Sequence, residues 1–437
     1  MNNKNTVKKL NRKHLIDDLK YRLIIEGIVV GLVTGVIVSL FRLVLSKIEL
    51  YRSDLISFFS ESPIKIILGI LLITLLIYIC AFVCKKEPLT SGSGIPQVKG
   101  EVVKNIKSTW YKVLIYKFIG GTASIFAGLS LGREGSSIQL GAMIGKGLSR
   151  IGGRLSKEEK YLMLCGAGAG LAAAFSAPLS GVLFVLEEIR RKFSHKALLC
   201  TMSGAITADW VASKMFGLEP AFNINIEADI SLKYFWAFIL LGLVCGLISV
   251  LYIKLLFLSK KAITPIVKNG MIWPITILIL VAITIFYPIA LGSGHSLIEL
   301  VSNPEGPGLK YILILFIVKF LFSIFSFITG APGGTLQPIL VIGGLVGSIF
   351  GILSTMLFGM DASLIPYFVV LGMVGCFSGI VRTPITGVML IIELTGMELN
   401  LLSLAIPILC AYVVADLLRT RPVYDMLLDD LLNRNNM

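Results

Sequence analysis

The stretch GREGSSIQ, at residues 132–139, places an arginine and a glutamate side by side in an otherwise apolar part of the chain. Arg133 and Glu134 are flanked by glycines and interrupt a hydrophobic run from Phe118 to Gly145. Ionisable side chains are costly in hydrocarbon, and those that occur there commonly belong to ion pathways or proton relays. This pair is therefore the first candidate for a functional site.

The composition is typical of a polytopic membrane protein. Of the 437 residues, 55% are hydrophobic and 15% are charged, whereas soluble domains contain about 25% charged residues. The mean hydropathy is +0.86. Uncharged apolar windows recur along the chain, and some, such as 27–41, are shorter than the roughly 20 residues that span a bilayer as a helix. The sequence predicts an all-α membrane protein in which some helices end inside the membrane.

The charged ends of the chain predict its topology. Residues 1–19 are basic, and the apolar segment that follows lacks the short core and cleavage site of a signal peptide. Basic residues favour the cytoplasmic side, so both termini are expected in the cytoplasm, with an even number of crossings of the cell membrane between them. The basic residues behind this prediction are Lys4, Lys8, Lys9, Arg12, Lys13, Arg419, Arg421 and Arg434.

Several classes of function are not supported by the sequence. The net charge of +14 is spread over many loops, without an aromatic-rich basic domain, so no nucleic-acid partner is predicted. The three histidines are isolated and the seven cysteines lack a metal-ligand spacing, so neither a metal nor a cofactor is predicted. No nucleophile elbow and no phosphate-binding loop occur in the sequence, and the protein is not expected to be an enzyme.

An internal repeat divides the chain into two halves. AFSAPLSGVLFVLEE at 174–188 aligns with IVRTPITGVMLIIEL at 380–394, an offset of 206 residues. GREGSSIQ aligns with GAPGGTLQ at 330–337, an offset of 198, and GSG at 92–94 recurs at 292–294. Three matches in the same order at nearly one offset indicate a duplicated structural unit.

The repeat leads to the expected domain organisation. With both termini on one side, each half can cross the membrane an odd number of times, which would invert one half relative to the other. In transporters built this way, the substrate lies between the halves, near the ends of broken helices. The predicted divisions are a basic segment at 1–19, a first membrane repeat at 20–217, a linker at 218–233, a second membrane repeat at 234–420 and a C-terminal tail at 421–437.

The repeat also separates shared acids from unshared charges. Glu187 and Glu393 align, and their presence in both copies predicts a structural role such as capping backbone amides. Three charges occur in one copy only, as an asymmetric addition to a symmetric scaffold. The sequence alignment pairs Glu188 with Leu394, Glu134 with Pro332, and Arg133 with Ala331.

Three glycine-rich loops precede apolar helical segments and are suited to an anion. They are SGSGIP at 91–96, GREGSS at 132–137 and GAPGGTLQP at 330–338. A helix start carries free backbone N–H groups and about half a positive charge, and glycine lets a ligand approach the backbone closely. Helix starts that converge in the membrane would hold an anion without a buried lysine. The alternative is that these loops only allow close helix packing.

These motifs resemble those of the CLC family of chloride channels and chloride/proton exchangers. GSGIP at 92–96, GREG at 132–135, GTLQP at 334–338 in place of a GxFxP-type loop, and Tyr424 near the C-terminal end follow the order of that family. The resemblance implies a CLC-like inverted-repeat fold with broken and re-entrant helices. It also implies a homodimer among membrane lipids, with chloride and protons as its substrates and one pathway in each subunit.

The resemblance implies roles for individual residues. Glu134 would be the gating glutamate, whose carboxylate competes with chloride and leaves when it is protonated. Glu188 would be the internal acid that receives protons from the cytoplasm, which favours chloride/proton antiport. A passive chloride channel and a non-transporting membrane scaffold are the alternatives. The chloride site would comprise Ser93, Tyr424, Thr335 and Leu336, with an outer site at Arg133, Glu134, Gly135 and Gln337.

The sequence departs from the family pattern at four positions. In the GxFxP-type loop, Leu336 replaces the phenylalanine, and the residue before it is Thr335. Ser136 replaces the proline after GREG, and Gln97 follows GSGIP where a glutamate is common. Because that loop is expected to bind chloride through backbone amides, binding should be retained, and the departures should act on affinity and on the hydrophobic gate. Ser93 resembles the residue of the chloride-preferring members.

Overall fold

A computed structural model describes residues 2–104, 106–222, 224, 234–396 and 400–435 of the protein. Most of the linker predicted at 218–233 and the last two residues of the tail lie outside the described residues, as do the side chains of the basic segment at 1–19 and of Arg434. The described part of the chain is helical, apart from loops and one isolated β-bridge, which agrees with the all-α prediction.

Eighteen α-helices form in the described residues. The first half contains α1 (Asn2–Ser60), α2 (Pro63–Lys86), α3 (Ile95–Lys104), α4 (Trp110–Phe126), α5 (Glu134–Ile151), α6 (Ser156–Phe175), α7 (Pro178–Phe184) and α8 (His195–Phe216). The second half contains α9 (Phe235–Ala262), α10 (Thr264–Lys268), α11 (Ile272–Phe286), α12 (His295–Val301), α13 (Leu309–Ile328), α14 (Leu336–Phe358), α15 (Ile365–Val381), α16 (Pro384–Thr395) and α17 (Leu401–Leu417). The tail forms α18 (Val423–Asn435).

Helix lengths separate membrane spans from broken helices. Six segments of the described chain are long and apolar enough to cross a bilayer: Tyr21–Phe59, Pro63–Lys86, Phe235–Ala262, Leu309–Ile328, Leu336–Phe358 and Ala362–Val381. By contrast, α3, α7, α12 and α16 contain 10, 7, 7 and 12 residues. A helix rises about 1.5 Å per residue, so these four are too short to cross about 30 Å of hydrocarbon. The expectation of broken helices is confirmed.

Close packing of α5 against α6 positions the first turn of α5. A Cβ built on Gly166 would overlap the carbonyl oxygen of Gly141, and one built on Gly170 would overlap the carbonyl oxygen of Ser137. The backbones therefore touch without intervening side chains, as in the small-residue interfaces of membrane helices. The GAGAG stretch at 166–170 is thus a packing surface that supports the loop before α5.

Backbone hydrogen bonds connect each GSG loop to the other half of the chain. The Gly92 N–H donates to the Gly330 carbonyl at 3.1 Å, and the Gly292 N–H donates to the Gly128 carbonyl at 2.8 Å. The two hydrogen bonds occupy equivalent positions in the repeat. They place the loop before α3 next to the loop before α14, which the separation of these segments in the sequence does not reveal.

The structure corrects the sequence register at the GREG loop. Gly132 and Gly334 exchange backbone hydrogen bonds of 2.8 and 2.7 Å in the antiparallel bridge, and α5 and α14 each begin two residues later. The equivalent positions are therefore 202 residues apart, instead of the 198 of the sequence alignment. The corrected pairs are Glu134 with Leu336, not Pro332, and Arg133 with Thr335, not Ala331. Both charges still occur in one copy only.

Two buried lysines stabilise the GSG loops and were missed in the sequence. Lys117 Nζ donates to the carbonyl of Gly92 at 2.6 Å, and Lys319 Nζ donates to that of Gly292 at 2.8 Å. Both side chains are fully buried, and buried cations need such partners. The sequence does contain a signal for them, because each lysine lies inside an apolar segment and the two are 202 residues apart.

The paired acids Glu187 and Glu393 each cap a helix of the other half. The Glu393 carboxylate accepts the backbone N–H groups of Leu179 and Ser180, at 2.9 and 2.8 Å, in the first turn of α7. The Glu187 carboxylate accepts the N–H of Thr386 at 2.8 Å in the first turn of α16. These amides have no partner within their own helix. The predicted capping role is confirmed.

Replacing Glu393 with glutamine is expected to lower the thermal stability of the protein. The amide keeps the size of the side chain but turns one acceptor into a donor that faces the N–H groups of α7. Because hydrogen bonds to charged groups contribute about 1.5–3 kcal/mol, a loss of this order is expected. The midpoint of thermal unfolding in detergent should fall, whereas Glu305→Gln, at an exposed loop position, should leave it unchanged. Equal midpoints would contradict the capping role.

Candidate functional site

Two uncapped helix starts lie side by side at the glycine bridge. The residues before α5 and α14 are Arg133 and Thr335, and neither makes a side-chain capping hydrogen bond. In the described part of the chain, no N-cap side chain pairs with the first-turn N–H groups of α5 or α14, whereas the first turns of α7 and α16 are capped by glutamates from the other half. Together with the positive end of each helix dipole, the N–H groups of α5 and α14 create a region suited to a negative charge.

The loop before α3 reaches the same place. Ser93 is 2% exposed, and its hydroxyl has no hydrogen-bond partner in the described part of the chain. A Cβ built on Gly135 would lie 2.6 Å from Ser93 Oγ and 3.1 Å from Gly334 Cα. The three glycine-rich loops therefore meet around Gly135, and only a residue without a side chain fits between them.

Tyr424 completes the site from the first turn of α18. Its side chain is fully buried, and its ring packs edge-on against Phe184, with centroids 6.3 Å apart. The hydroxyl faces Thr335 without reaching hydrogen-bond geometry, so both hydroxyls lack a partner in the described part of the chain. Buried hydroxyls are normally paired, and Ser93, Thr335 and Tyr424 together leave unused donors for a small anion.

The Glu134 carboxylate lies within this region. The residue has no exposed surface. A Cβ built on Gly334 would lie 3.2 Å from Glu134 Oε2, which places the carboxylate next to the glycine bridge. It faces the backbone N–H groups of Glu134 and Gln337 but makes no hydrogen bond of ordinary geometry to any residue that the structure describes. An acidic side chain thus occupies the place where the helix amides are available.

A cavity, termed here the outer cavity, lies beside the starts of α5 and α14. Its volume is about 210 Å³, and its lining includes Arg133 and Gln337, two of the four residues predicted for the outer site. The cavity also contains Arg42, Glu49 and His295, which the sequence analysis missed. These side chains come from the later part of α1 and the start of α12, and no motif signals that these segments meet.

The second candidate acid, Glu188, lies in a separate charged cluster. Its side chain is 1% exposed, and it accepts a hydrogen bond from Lys99 Nζ at 2.6 Å. Lys99 also contacts Asp425 at 2.7 Å. Burial raises the pKa of Asp425, but its contacts with Lys99 and Arg191 lower it below the usual range. Lys99 and Asp425 were missed, although Lys99 stands three residues after GSGIP and Asp425 directly follows Tyr424.

Tyr424 is the structural link between the two acids. Its hydroxyl lies within electrostatic reach of both Glu134 and Glu188. The residues that the structure brings together at the helix starts are Ser93, Arg133, Glu134, Gly135, Thr335, Leu336, Gln337 and Tyr424. Glu188 lies outside this group, in the cluster with Lys99.

Comparisons with known proteins find a family model and relatives that match most of the chain. A family model described as "Voltage gated chloride channel" matches residues 76–416. The H(+)/Cl(-) exchange transporter ClcA of Vibrio parahaemolyticus is 31% identical over 428 residues, which cover 95% of this chain and 91% of the relative. The protein of the same name from Vibrio campbellii is 30% identical over 420 residues, which cover 94% and 89%.

Solved structures show the same fold. The structure of a slow cyanobacterial Cl-/H+ antiporter superposes with a TM-score of 0.88 at 28% sequence identity, covering 95% of this chain and 99% of that one. A CLC-type fluoride/proton antiporter superposes with a TM-score of 0.76 at 23% identity, covering 92% and 97%. The second likeness extends to the fold alone.

Proposed function

Because the chain belongs to the voltage-gated chloride channel family, we propose that it is a chloride/proton antiporter. It acts as a transporter and not as an enzyme. The observation that carries this proposal is the buried Glu134 carboxylate at the starts of α5 and α14, near three hydroxyls that have no partner among the described residues. The exchange activity named for its relatives supports the same assignment.

Chloride is held by neutral donors. The backbone N–H groups of Thr335 and Leu336 and the hydroxyls of Ser93 and Tyr424 form the central site. The N–H groups around Arg133, Gly135 and Gln337 form the outer one. Because no full cation is needed, the ion is bound firmly enough to enter and weakly enough to leave. The replacement of the loop phenylalanine by Leu336 leaves these backbone donors in place.

Glu134 couples the anion to the proton. Its ionised carboxylate carries the same charge as chloride and competes for the same amides. Protonation removes that charge, so the side chain leaves and chloride enters. Glu188 receives the proton from the cytoplasmic side, and its position near Tyr424 supports this role. The Glu134 carboxyl is either charged and inside the anion path or neutral and outside it. This alternation links the proton flux to the chloride flux.

The protein is an integral membrane protein, and its location and assembly are part of the proposal. It resides in the cell membrane with both termini in the cytoplasm, in contact with membrane lipids. It forms a homodimer with one pathway in each subunit. The exposed apolar residues on the spanning helices, such as Leu247 and Leu321, support contact with lipid or with a second copy.

In sealed liposomes, the purified protein is expected to move protons uphill when a chloride gradient is applied. Coupling through Glu134 requires a proton to cross for a fixed number of chloride ions, so the gradient of one ion drives the other. A pH-sensitive dye inside the vesicles reports the proton movement, and a chloride electrode reports the anion flux. Protein-free liposomes are the control.

The alternatives differ in the same assay. Chloride flux without proton movement would overturn antiport in favour of a passive chloride channel. The absence of any anion flux from folded protein would overturn transport altogether and favour a non-transporting scaffold.

A further inference from the structure

We propose that Lys99 is a clamp that holds the internal acid Glu188 ionised and that must release it before a proton enters from the cytoplasm. This inference rests on the proposed antiport. Lys99 extends from the second turn of α3, and its side chain is 5% exposed. Its ammonium contacts Glu188 at 2.6 Å and Asp425 at 2.7 Å. It therefore stands between the internal acid and the residue that follows Tyr424.

The cluster contains two cations and two anions. Arg191 contacts Asp425 at 2.7 Å and lies 3.5 Å from Glu188 Oε2. The charged groups that act on Glu188 are Lys99 of α3, Asp425 of α18 and Arg191 at the end of its own segment. The Tyr424 hydroxyl is the nearby titratable group on α18. With all four charges present, the cluster is neutral, and a proton on Glu188 would leave it positive.

Burial and Lys99 act on Glu188 in opposite directions. Burial is the larger effect and raises the pKa of Glu188 above its usual range, and the adjacent Lys99 ammonium opposes this shift. At 2.6 Å the ammonium is the nearest opposite charge, and proton uptake by Glu188 removes half of the ion pair. Breaking a buried pair is costly, because it leaves a charge without its partner. Release of Lys99 is therefore a step of proton uptake.

The backbone around Glu188 is built for this contact. Val185–Arg190 forms a π-helical segment, a feature that is frequent at functional sites. The wider turn directs two consecutive acids to different elements: Glu187 caps α16 through Thr386, and Glu188 points to α3 and Lys99. Lys99 thereby joins the helix that follows Ser93, the segment of Glu188 and the helix that carries Tyr424.

Replacing Lys99 with methionine is expected to make Glu188 take up its proton at a higher pH. Loss of an adjacent opposite charge shifts such a titration by about one to three pH units. Infrared difference spectra of the full-length protein measure this titration directly, through the carboxylic-acid band that disappears in Glu188→Gln. In liposomes, chloride/proton exchange by the same variant should persist to a higher pH than exchange by the unmodified protein.

Two further variants keep the test decisive. Lys99→Arg retains the positive charge and should retain the midpoint of the Glu188 titration. Asp425→Asn removes the second anion that Lys99 contacts. Lys99 then pairs with Glu188 only, and the midpoint of the Glu188 titration should move to lower pH. Lys104→Met, an exposed position at the end of the same helix, is the matched control. If Lys99→Met fails to fold, the downward shift in Asp425→Asn decides the question.

An unchanged midpoint in Lys99→Met, or shifts of the same sign in Lys99→Met and Asp425→Asn, would overturn the clamp. The infrared titration does not depend on transport. If the unmodified protein shows coupled exchange but the predicted shifts of the Glu188 titration do not occur, the clamp alone is rejected. If the unmodified protein shows no coupled exchange, the proposed function is rejected.

Discussion

Replacing Glu134 with glutamine is expected to abolish proton movement while chloride still crosses the membrane. Glutamine has the size of the protonated acid but carries no charge and exchanges no proton, so it imitates one state of the cycle permanently. Transfer by a positioned acid contributes about 10²- to 10⁴-fold to the rate of a proton step, and the proton flux should fall by at least about 100-fold. Dye and electrode measurements on the same liposomes separate the two fluxes.

In the same variant, chloride binding should become tighter although proton movement is lost. In the unmodified protein, protonation of Glu134 removes a competitor, so chloride binding should strengthen as the pH falls. In Glu134→Gln the competitor is absent at every pH, and binding measured by calorimetry should be tighter and independent of Glu134 titration. Glu305→Gln, at an exposed loop position, should behave like the unmodified protein. Persistent proton pumping by Glu134→Gln would reject its role.

Replacing Gly135 with alanine is expected to weaken chloride binding through steric crowding. The added Cβ would lie 2.6 Å from Ser93 Oγ and 3.1 Å from Gly334 Cα, so the loops must move apart. Overpacking of this kind costs about 1–3 kcal/mol. Exerted at the anion site, a cost of this size weakens binding about 5- to 150-fold. Chloride calorimetry and the chloride flux in liposomes both measure the effect.

Gly308→Ala is the matched control for this substitution. A Cβ at Gly308 meets no atom of the described residues within 4 Å, and the φ of −61° at Gly308 is available to any residue. This variant should bind chloride like the unmodified protein. Equal affinities in Gly135→Ala and Gly308→Ala, with both proteins folded, would show that the three loops do not form the anion site.

Some features of the site could be predicted because they are written in local sequence or in its repetition. Glycine-rich loops before apolar segments indicate helix starts. A charge confined to one copy of a repeat, such as Glu134, indicates function, and an acid present in both copies, such as Glu187, indicates structure. The reciprocal capping by Glu187 and Glu393 was predictable for this reason, and the two buried lysines could have been found by the same comparison.

The amino-acid sequence alone did not determine the register of the repeat. GREGSSIQ and GAPGGTLQ align best at 198 residues, but the backbone pairs Gly132 with Gly334 and makes 202 the structural offset. Hydrogen bonds between loops depend on backbone position and not on side-chain identity. A glycine-rich sequence satisfies several alignments equally well, and only the folded backbone selects one.

By itself, the sequence determined the membrane class and the duplicated architecture, and it indicated Glu134 and Glu188 as candidate acids. Composition, periodicity and motif are local properties that a chain carries before it folds. Only the tertiary structure decided that Lys99 lies between Glu188 and Asp425, residues 89 and 326 positions away in the chain. Such contacts arise where helices from distant segments pack together, and the electrostatic energy of a buried charge depends on those neighbours.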